Sequence, residues 1–287
     1  MLQTGNSSGL TALVFPGQGS QREGMRAVVE RHEPRLLELA RQLVGSDPFE
    51  RIAQSTRFQQ PAIYCASIAS WAAIGRPSAD VLAGHSMGEV AALVAAGATD
   101  SETGLQLVVK RGQVTQQAAS LPPASGMLAV MAKDPQELID MPLPEGVVVA
   151  NDNSPTQVVL AGPLEQLARA KRVAIDSGLR AIRLPVEGAF HSPAMAPAID
   201  AYAEVLAGIE FAAPHTPVYS GLTASEFTDP RTELASSLIS PVRWRETVTA
   251  LFERGVRRLV EPGPGDVVSK LTARQQPGIE IVEPVMS

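Results

Sequence analysis

The chain has 287 residues and a formal net charge of −6, with 45% apolar and 19% charged residues. This composition is typical of a globular protein and excludes general disorder. The acidic balance argues against a nucleic-acid partner bound through a basic surface. Cys65 is the only cysteine, which excludes an internal disulfide and a cysteine-based zinc site. The four histidines lack metal-ligand spacing, so we expect no metal site.

The composition of the N-terminal segment predicts no targeting signal. Residues 1–9 have neither a basic region nor a long apolar stretch, so they do not resemble a signal peptide. The longest apolar-looking stretch, residues 90–98, is about half as long as a membrane span. We therefore expect a cytoplasmic protein with no membrane partner.

The first 120 residues alternate short β-rich runs with helical patterns, which is typical of the α/β class. A buried first strand is predicted at 10–15, and it ends at a glycine-rich loop that contains Gln18. A helix is predicted at 61–74, with Pro61 in its first turn, where a missing N–H costs little. The other elements predicted here are a helix through 36–44, a strand at 81–83, a helix at 89–96 that ends at Gly97, and a helix capped by Asp100 or Ser101.

After Ser120 the pattern changes to β-α-β-β-α-β, which is typical of a ferredoxin-like domain. Its predicted elements are a strand at 127–132, a helix that begins at Asp134, strands at 147–150 and 157–161 around a turn cluster at 151–155, a helix at 164–177 and a strand at 181–186. We expect this small domain, residues 121–189, to be inserted in a large α/β domain formed by residues 1–120 and 190–287. The second part of the large domain, residues 190–287, is predicted to contain a helix at 194–206, a strand at 217–219, a helix at 244–254 and a strand at 257–260.

The sequence Gly-His-Ser-Met-Gly at residues 84–88 lies between a predicted strand and a predicted helix. Its two glycines permit a tight turn that holds Ser86 exposed at the helix N-terminus, where N–H groups stabilise an anion. This arrangement predicts that Ser86 is a nucleophile. The pattern is short, so an ordinary turn is the alternative.

A serine nucleophile needs a base. His191 follows the last predicted strand of the small domain, at the seam where the chain re-enters the large domain, and such seams commonly form pockets. His215 lies in a proline-bounded loop and His32 in a charged run, while His85 adjoins Ser86 and is expected to point away from it. His191 is therefore the candidate base, with a structural or surface histidine as the alternative.

Two further segments are candidates for contact with a negatively charged group. Arg111 flanks the apolar face of the helix that follows the elbow helix, and a guanidinium turned towards a pocket would hold a carboxylate through two hydrogen bonds. From the residues alone, a solvated helix arginine is the stronger interpretation. The glycine-rich loop around Gln18 can supply a backbone N–H to an oxyanion or form a plain turn. It is not a phosphate loop, because no Gly-Lys-Ser/Thr follows.

Taken together, these segments resemble the malonyl-CoA:acyl carrier protein transacylase family, which includes the acyltransferase domains of polyketide and fatty-acid synthases. The resemblance covers nearly the whole chain and implies an α/β-hydrolase-like large domain with a ferredoxin-like insertion. The matching segments are Phe-Pro-Gly-Gln-Gly-Ser-Gln at 15–21, Gln-Gln-Pro-Ala at 59–62, Gly-His-Ser-Met-Gly-Glu at 84–89, Arg-Gly at 111–112, Asn-Ser-Pro-x-Gln-Val-Val at 153–159, Gly-Ala-Phe-His-Ser at 188–192, Pro-Val-Arg-Trp at 241–244 and Gly-Pro-Gly at 263–265.

The resemblance implies a role for each matched residue. Ser86 would be the nucleophile and His191 its general base, oriented by a backbone carbonyl near Ser237 rather than by an aspartate. The other implied roles are oxyanion-hole N–H groups from Gln18 and Met87, a malonyl-binding guanidinium from Arg111, and substrate contacts from His85, Gln60 and Phe190. Met87 stands where the family commonly has aliphatic residues, so we expect its flexible side chain to reshape the pocket.

The implied activity is transfer of a malonyl group from CoA to the phosphopantetheine thiol of an acyl carrier protein, through an acyl-serine and without a cofactor. Ala-Phe-His at 189–191 resembles the malonyl-selective polyketide acyltransferases. Three alternatives stay open: a carrier-to-carrier transferase for a larger acyl group, an acyl-thioester hydrolase, and a non-catalytic subunit that docks carrier proteins. Arg111 argues against the hydrolase, and the presence of both Ser86 and His191 argues against the non-catalytic subunit.

The expected partners are malonyl-CoA and an acyl carrier protein, and we expect the chain to be a monomer. The resemblance implies that the carrier protein is acidic, so docking on this acidic chain requires a local basic patch. Five arginines cluster in sequence near the C-terminal motifs: Arg243, Arg245, Arg254, Arg257 and Arg258. They are the candidate patch, and a solvated helix face explains the same cluster equally well.

Overall fold

Two β-sheets organise the part of the chain that the computed structural model describes, residues 9–283. The expectation about residues 1–9 therefore falls almost wholly outside the described residues. The first sheet contains β1 (Leu10–Phe15), β2 (Val81–Gly84), β7 (Val218–Ser220), β8 (Ser225–Glu226), β9 (Val256–Val260) and β10 (Glu280–Ile281). Its strand order is β10-β9-β1-β2-β7-β8, and all neighbours are parallel except β7 and β8. The buried central strands β1 and β2 are apolar on both faces, as expected for a parallel sheet covered by helices.

The second sheet is antiparallel and has the strand order of a ferredoxin-like fold. Its strands are β3 (Ser125–Met131), β4 (Val148–Ser154), β5 (Gln157–Pro163) and β6 (Arg180–Arg183), in the order β4-β5-β3-β6. One face packs on a helix at 164–176 through Leu128, Val130 and Leu160. The predicted α/β class with a ferredoxin-like unit is confirmed. The boundaries proposed at 120/121 and 189/190 stay a prediction.

The helices lie mainly on the faces of the two sheets. In chain order they are α1 (Met25–His32), α2 (Pro34–Val44), α3 (Thr56–Ala73), α4 (Gly88–Ala95), α5 (Ser101–Ala119), α6 (Pro135–Ile139), α7 (Leu164–Asp176), α8 (Ala196–Ala207), α9 (Pro230–Ser236), α10 (Trp244–Glu253) and α11 (Val267–Gln275). A 3₁₀ turn at Pro193–Met195 precedes α8. Asp100, one of the two residues predicted to cap α5, accepts hydrogen bonds from the N–H groups of Glu102 and Thr103. In the described residues, no helix is both long and apolar enough to cross a membrane.

Helix α3 differs from its prediction. It begins at Thr56, so Pro61 lies inside the helix rather than in its first turn. A proline there removes one backbone hydrogen bond and disturbs the preceding turn. However, fifteen of the eighteen residues of α3 are buried, and the burial of that much apolar surface offsets the loss. Three helices were not predicted from their patterns: α1, α9 and α11.

The predicted turn cluster at 151–155 is also different. Asn151–Ser154 continue β4, which pairs with β5 through two register irregularities. The same strand also forms a parallel β-bridge with Val242, in the segment that precedes α10. Val242 N–H donates to Ala150 O, and Asp152 N–H donates to Val242 O, both at 2.9 Å. These bonds hold the small sheet beside the segment that precedes α10. They explain why polar residues typical of a turn are held in extended structure.

Candidate active site

The strand β2 turns sharply into α4 at the predicted elbow. Ser86 has φ +55°, a left-handed conformation that costs a non-glycine residue about 1–3 kcal/mol. A Cβ at Gly84 would lie 2.1 Å from the backbone carbon of Gly88, and a Cβ at Gly88 would lie 2.3 Å from Phe15 O. Only glycine fits at both positions, so the two glycines close the turn against β1 and leave the serine half-buried at its tip.

His191 lies directly against this serine. Ser86 Oγ is 2.7 Å from His191 Nε2, and His191 Nδ1 is 2.8 Å from Ser237 O, to which it donates. Ser237 is the residue that caps the C-terminus of α9. A carbonyl at a helix C-terminus carries partial negative charge, so it both selects the tautomer and favours the imidazolium that forms when the ring accepts a proton. The contact with Ser237 agrees with the carbonyl expected near that residue.

The ring of His191 is neutral over the physiological pH range. Burial and, to a lesser extent, the positive charge of Arg111 together lower the pKa of His191 to about 3. His191 is 5% exposed. A neutral imidazole with Nδ1–H held by a carbonyl presents a free lone pair on Nε2 to the serine hydroxyl, so it can act as a general base.

Arg111 is buried beside the serine rather than solvated on its helix. Its Nη2 donates to Ser86 Oγ at 3.2 Å and its Nη1 donates to Gln60 Oε1 at 2.8 Å. The side chain is 5% exposed, and within residues 9–283 it forms no ion pair with a carboxylate. Burial lowers the pKa of this guanidinium. A buried cation without a counter-ion is costly, so the geometry provides a binding position for an incoming carboxylate.

Gln60 lies behind Arg111 rather than on the wall of a cavity. It is fully buried, its Oε1 accepts from Arg111, and its Nε2 donates to Thr56 Oγ1 and Thr115 Oγ1. All its polar atoms are therefore occupied by protein groups. In the structure, Gln60 thus contacts the guanidinium of Arg111, and its expected direct contact with a substrate stays a prediction.

The backbone N–H groups of Gln18 and Met87 have no acceptor among the described residues. The Gln18 side chain is held by Gln59 and Thr56, which orients the glycine-rich loop beside the elbow. Met87 N–H lies at the start of α4, where N–H groups point outward. The Met87 side chain is 1% exposed and packs in the core, so the expectation that it reshapes the pocket is wrong.

A cleft of about 430 Å³ opens above Ser86 and His191, between one face of the small sheet and the large domain. His85 lines it and is tied across the cleft to the small sheet, with Nε2 2.8 Å from Asn153 Oδ1. Phe190 lines both this cleft and a neighbouring cavity of about 410 Å³, so it forms part of the wall between them. His85 and Phe190 therefore both line this cleft, and their contact with a substrate stays a prediction.

Two buried polar residues near the site were not identified from the sequence. Asn153 was assigned to a turn; the alternation of Asn151 and Asn153 on one face of a strand is the signal that could have identified it. Glu89 directly follows the elbow, and its Oε1 accepts from Gly221 N–H at 2.6 Å. Burial raises the pKa of Glu89 to about 8. Its contact ties the start of α4 to the segment after β7.

The predicted basic patch near the C-terminus is largely neutralised. Arg243 pairs with Glu246, Arg245 with Asp152, and Arg254 with Glu226. The guanidinium of Arg257 stacks on Phe252 and donates to backbone carbonyls, and Arg258 Nε is buried. Three of the five arginines of the predicted patch are therefore paired with acids: Glu246 is a near neighbour of Arg243, whereas Asp152 and Glu226 are distant in sequence from their partners.

Comparison with known proteins agrees with this geometry. The acyl transferase domain family matches residues 12–275. Polyketide biosynthesis protein ThaF of Burkholderia thailandensis is 37% identical over 93% of this chain, but the chain spans only 24% of that protein. Malonyl CoA-acyl carrier protein transacylase of Haemophilus influenzae is 37% identical over 92% of this chain and 91% of that one.

A solved structure is similar as well. It is that of a type II polyketide synthase acyl-carrier protein in complex with its malonyl-transacylase (PlMCAT:AntF, holo). The TM-score is 0.84 at 35% identity, covering 96% of this chain and 95% of that chain. A family match over most of the chain, with relatives of this identity and coverage, establishes the membership. The chain belongs to the acyl transferase domain family.

Proposed function

We propose that the protein transfers a malonyl group from CoA to the phosphopantetheine thiol of an acyl carrier protein, through an ester on Ser86. The observation that carries this proposal is the buried guanidinium of Arg111, which lacks a carboxylate partner in the described chain and contacts Ser86 Oγ. An acyl group that ends in a carboxylate satisfies this cation while its thioester carbon meets the serine. The names of the H. influenzae relative and of the carrier-protein complex fit the same activity.

In the first half-reaction, His191 Nε2 removes the proton from Ser86 Oγ as the oxygen attacks the thioester carbonyl. The N–H groups of Gln18 and Met87 stabilise the tetrahedral oxyanion, and one such donor typically contributes about 3–4 kcal/mol. The imidazolium is stabilised by Ser237 O. CoA leaves as its thiol after it takes the proton from His191, and the malonyl group remains on Ser86.

In the second half-reaction, the phosphopantetheine thiol gives its proton to His191 and attacks the ester. Ser86 then leaves with the proton, and the kinetics are ping-pong. Water is the competing nucleophile, and the buried positions of His191 and Arg111 limit its access. Only protons and the acyl group move, so we propose that no cofactor takes part.

Phe190 supports selection of malonyl over α-methyl-malonyl groups. Its ring forms a cleft wall beside the catalytic histidine, where an additional methyl group needs space. A difference of one methyl group is worth about 1–3 kcal/mol, so this discrimination is partial. Acetyl groups are disfavoured more strongly, because they leave Arg111 without a counter-ion.

We further propose that the enzyme acts as a monomer in the cytoplasm. The monomer is supported by the site itself, since Ser86, His191, Arg111 and Ser237 come from one chain. The cytoplasm is supported by the single cysteine, which is buried as a free thiol and fits a reducing compartment.

The proposal is tested by intact-protein mass spectrometry after mixing with malonyl-CoA, methylmalonyl-CoA or acetyl-CoA, with Ser86→Ala as the control. We expect one malonyl adduct on the native protein, a weaker methylmalonyl adduct and none on the variant. Addition of a holo acyl carrier protein should move the malonyl group to the carrier. Rapid loss of thioester without an adduct would indicate a hydrolase, and intact thioester without an adduct would indicate a carrier-bound donor.

A further inference from the structure

Glu89 is a buried carboxyl group that takes no part in the proposed acyl transfer. It follows the elbow serine in the first turn of α4 and is 2% exposed. Its Oε1 accepts from Gly221 N–H at 2.6 Å, and its carboxyl also bonds to the Ser220 side chain. Within residues 9–283, it forms no ion pair with a base. The fold therefore removes this group from water without giving it a counter-ion.

This environment favours the protonated form of the group. A carboxylate can accept about four hydrogen bonds, whereas Glu89 bonds only to Gly221 N–H and Ser220, so its anion is under-bonded in the interior. Burial, with a smaller contribution from the charge of Glu233, raises the pKa of Glu89 to about 8, although Gly221 N–H and Arg111 act in the opposite direction. Glu89 is therefore mostly uncharged at neutral pH.

The ionisable groups that act on Glu89 come from three helices. They are Arg111 of α5, Tyr202 of α8 and Glu233 of α9. Tyr202 is fully buried, and its hydroxyl has no partner in the described chain. Burial raises the pKa of Tyr202 to about 12, so it keeps its proton at neutral pH. Glu233 Oε1 accepts from the N–H groups at the start of α9. A guanidinium keeps its proton in proteins, so the charge of Glu89 acts on a fixed cation at Arg111.

The charges of Glu89 and Arg111 act on each other through the protein interior. Each shifts the pKa of the other in the direction expected of opposite charges, yet the two form no ion pair in the described chain. Buried charges are weakly screened, so an ionised Glu89 compensates part of the positive charge of Arg111 and repels a second carboxylate there. A protonated Glu89 does neither and leaves the whole charge for a ligand.

We propose that Glu89 is a further specificity-determining residue: uncharged, it leaves Arg111 free for the malonyl carboxylate, and ionised, it competes with that carboxylate. The inference rests on the proposed function. A bound malonyl group adds negative charge beside Arg111 and so favours the protonated form of Glu89. Where Glu89 is ionised in the free protein, malonyl-CoA binding is therefore coupled to uptake of a proton from solvent by Glu89. An acetyl group carries no charge, so its reaction lacks this coupling.

The pH dependence of Ser86 acylation tests the proposal. We measure kcat/KM by single-turnover mass spectrometry with malonyl-CoA and with acetyl-CoA, from about pH 7 to about pH 9. For the native protein and malonyl-CoA, we expect a decrease of about tenfold, because kcat/KM reports ionisation of the free protein and Glu89 loses its proton near pH 8. The value for acetyl-CoA should stay within about twofold.

Two variants separate the charge of Glu89 from its hydrogen bond. Glu89→Gln keeps an acceptor oxygen for Gly221 N–H but cannot ionise, so its malonyl-CoA profile should be flat within about twofold. Glu261→Gln is the matched control, because Glu261 is also buried, burial also raises its pKa, and its oxygens accept from Val268 and Ser269 N–H. This control should keep the native decrease.

A binding measurement tests the coupling without any change at Glu89. Calorimetric titration of the Ser86→Ala protein with malonyl-CoA, in two buffers of different ionisation enthalpy, gives the number of protons taken up. At about pH 8.5 we expect about 0.7 proton for each malonyl-CoA bound, because that fraction of Glu89 is ionised in the free protein. Adding Glu89→Gln should abolish the uptake.

Several results would overturn the proposal. In the native protein, these are a malonyl-CoA profile that stays flat to about pH 9 and one that falls equally with acetyl-CoA. In the variants, they are a native decrease retained by Glu89→Gln, loss of that decrease in Glu261→Gln, and binding to Ser86→Ala without proton uptake. A native protein that forms no malonyl ester at any pH would instead overturn the proposed function.

Discussion

Arg111 and Arg245 both lie on helices, one within and one directly after a segment that resembles a family motif, yet their surroundings in the fold are opposite. Arg111 is buried between Gln60 and Ser86 without a carboxylate partner in the described residues. Arg245 is 44% exposed and its guanidinium contacts both carboxylate oxygens of Asp152. A buried cation that lacks a counter-ion is expensive and indicates a ligand, whereas a half-exposed pair costs little and indicates local structure.

The same contrast extends to the two regions that contain these arginines. Around Ser86, two non-glycine residues, Ser86 and His191, have positive φ, and polar groups are left available to a substrate. Around α10, by contrast, the guanidinium groups of Arg243 and Arg245 are paired with Glu246 and Asp152. The strained conformations of Ser86 and His191 persist because the surrounding fold holds them, and such strain is common at active sites.

The largest expected effect comes from the catalytic region. We expect His191→Ala to slow acylation of Ser86 by about 10³-fold or more, because general-base catalysis is lost together with the bond to Ser237 O. Single-turnover mass spectrometry with malonyl-CoA measures this rate. His215→Ala is the control, since His215 is exposed and its ring is hydrogen-bonded to the neighbouring Thr216. Equal losses in both variants would contradict the assignment.

The second prediction compares the two arginines directly. We expect Arg111→Ala to lower kcat/KM for malonyl-CoA by about 10²-fold or more, because the substrate carboxylate loses its buried partner. Acylation by acetyl-CoA should not fall in parallel. Arg245→Ala should change kcat/KM for malonyl-CoA by less than about twofold. A similar loss in the two variants would remove the distinction between a ligand cation and a structural one.

A third prediction concerns pH. Because the pKa of His191 is lowered to about 3, kcat/KM for malonyl-CoA should stay nearly constant from pH 7 to pH 5. An unperturbed histidine would cause a decrease of about 30-fold over that range. The unfolded chain binds this proton near pH 6.5 and the folded chain only near pH 3, so this group's contribution makes folding less stable as the pH falls between those values. A pH-rate profile with an inflection near 6.5 would contradict the buried, neutral base.

The smallest expected effect belongs to the region around α10. Asp152→Asn and Arg245→Ala should each lower the free energy of unfolding by at most about 1 kcal/mol, because the pair is partly exposed. A double-mutant cycle monitored by denaturant unfolding gives the coupling energy. A coupling well above that value would show that this pair, and not only the backbone bridge at Val242, holds the small sheet in place.

Some features of the active site could be predicted from the sequence, and others could not. The strand-turn-helix at Ser86, the histidine at the seam and the carbonyl near Ser237 are all found in contact. The Met87 side chain was expected at the pocket but packs in the core, and Gln60 lies behind Arg111, because a motif does not reveal whether a side chain faces the cavity or the core. Helices α1, α9 and α11 were missed because their apolar spacing is short or irregular, and their packing on the sheets stabilises them.

By itself, the sequence determined the α/β class, the ferredoxin-like order of strands and the elbow, because these depend on local alternation and on glycines that no other residue can replace. Only the tertiary structure decided which charges are free. Asp152 reaches Arg245 across 93 residues, and Arg111 meets Gln60 across 51. Whether an arginine is neutralised, as Arg245 is, or left for a ligand, as Arg111 is, depends on which distant segments pack against it.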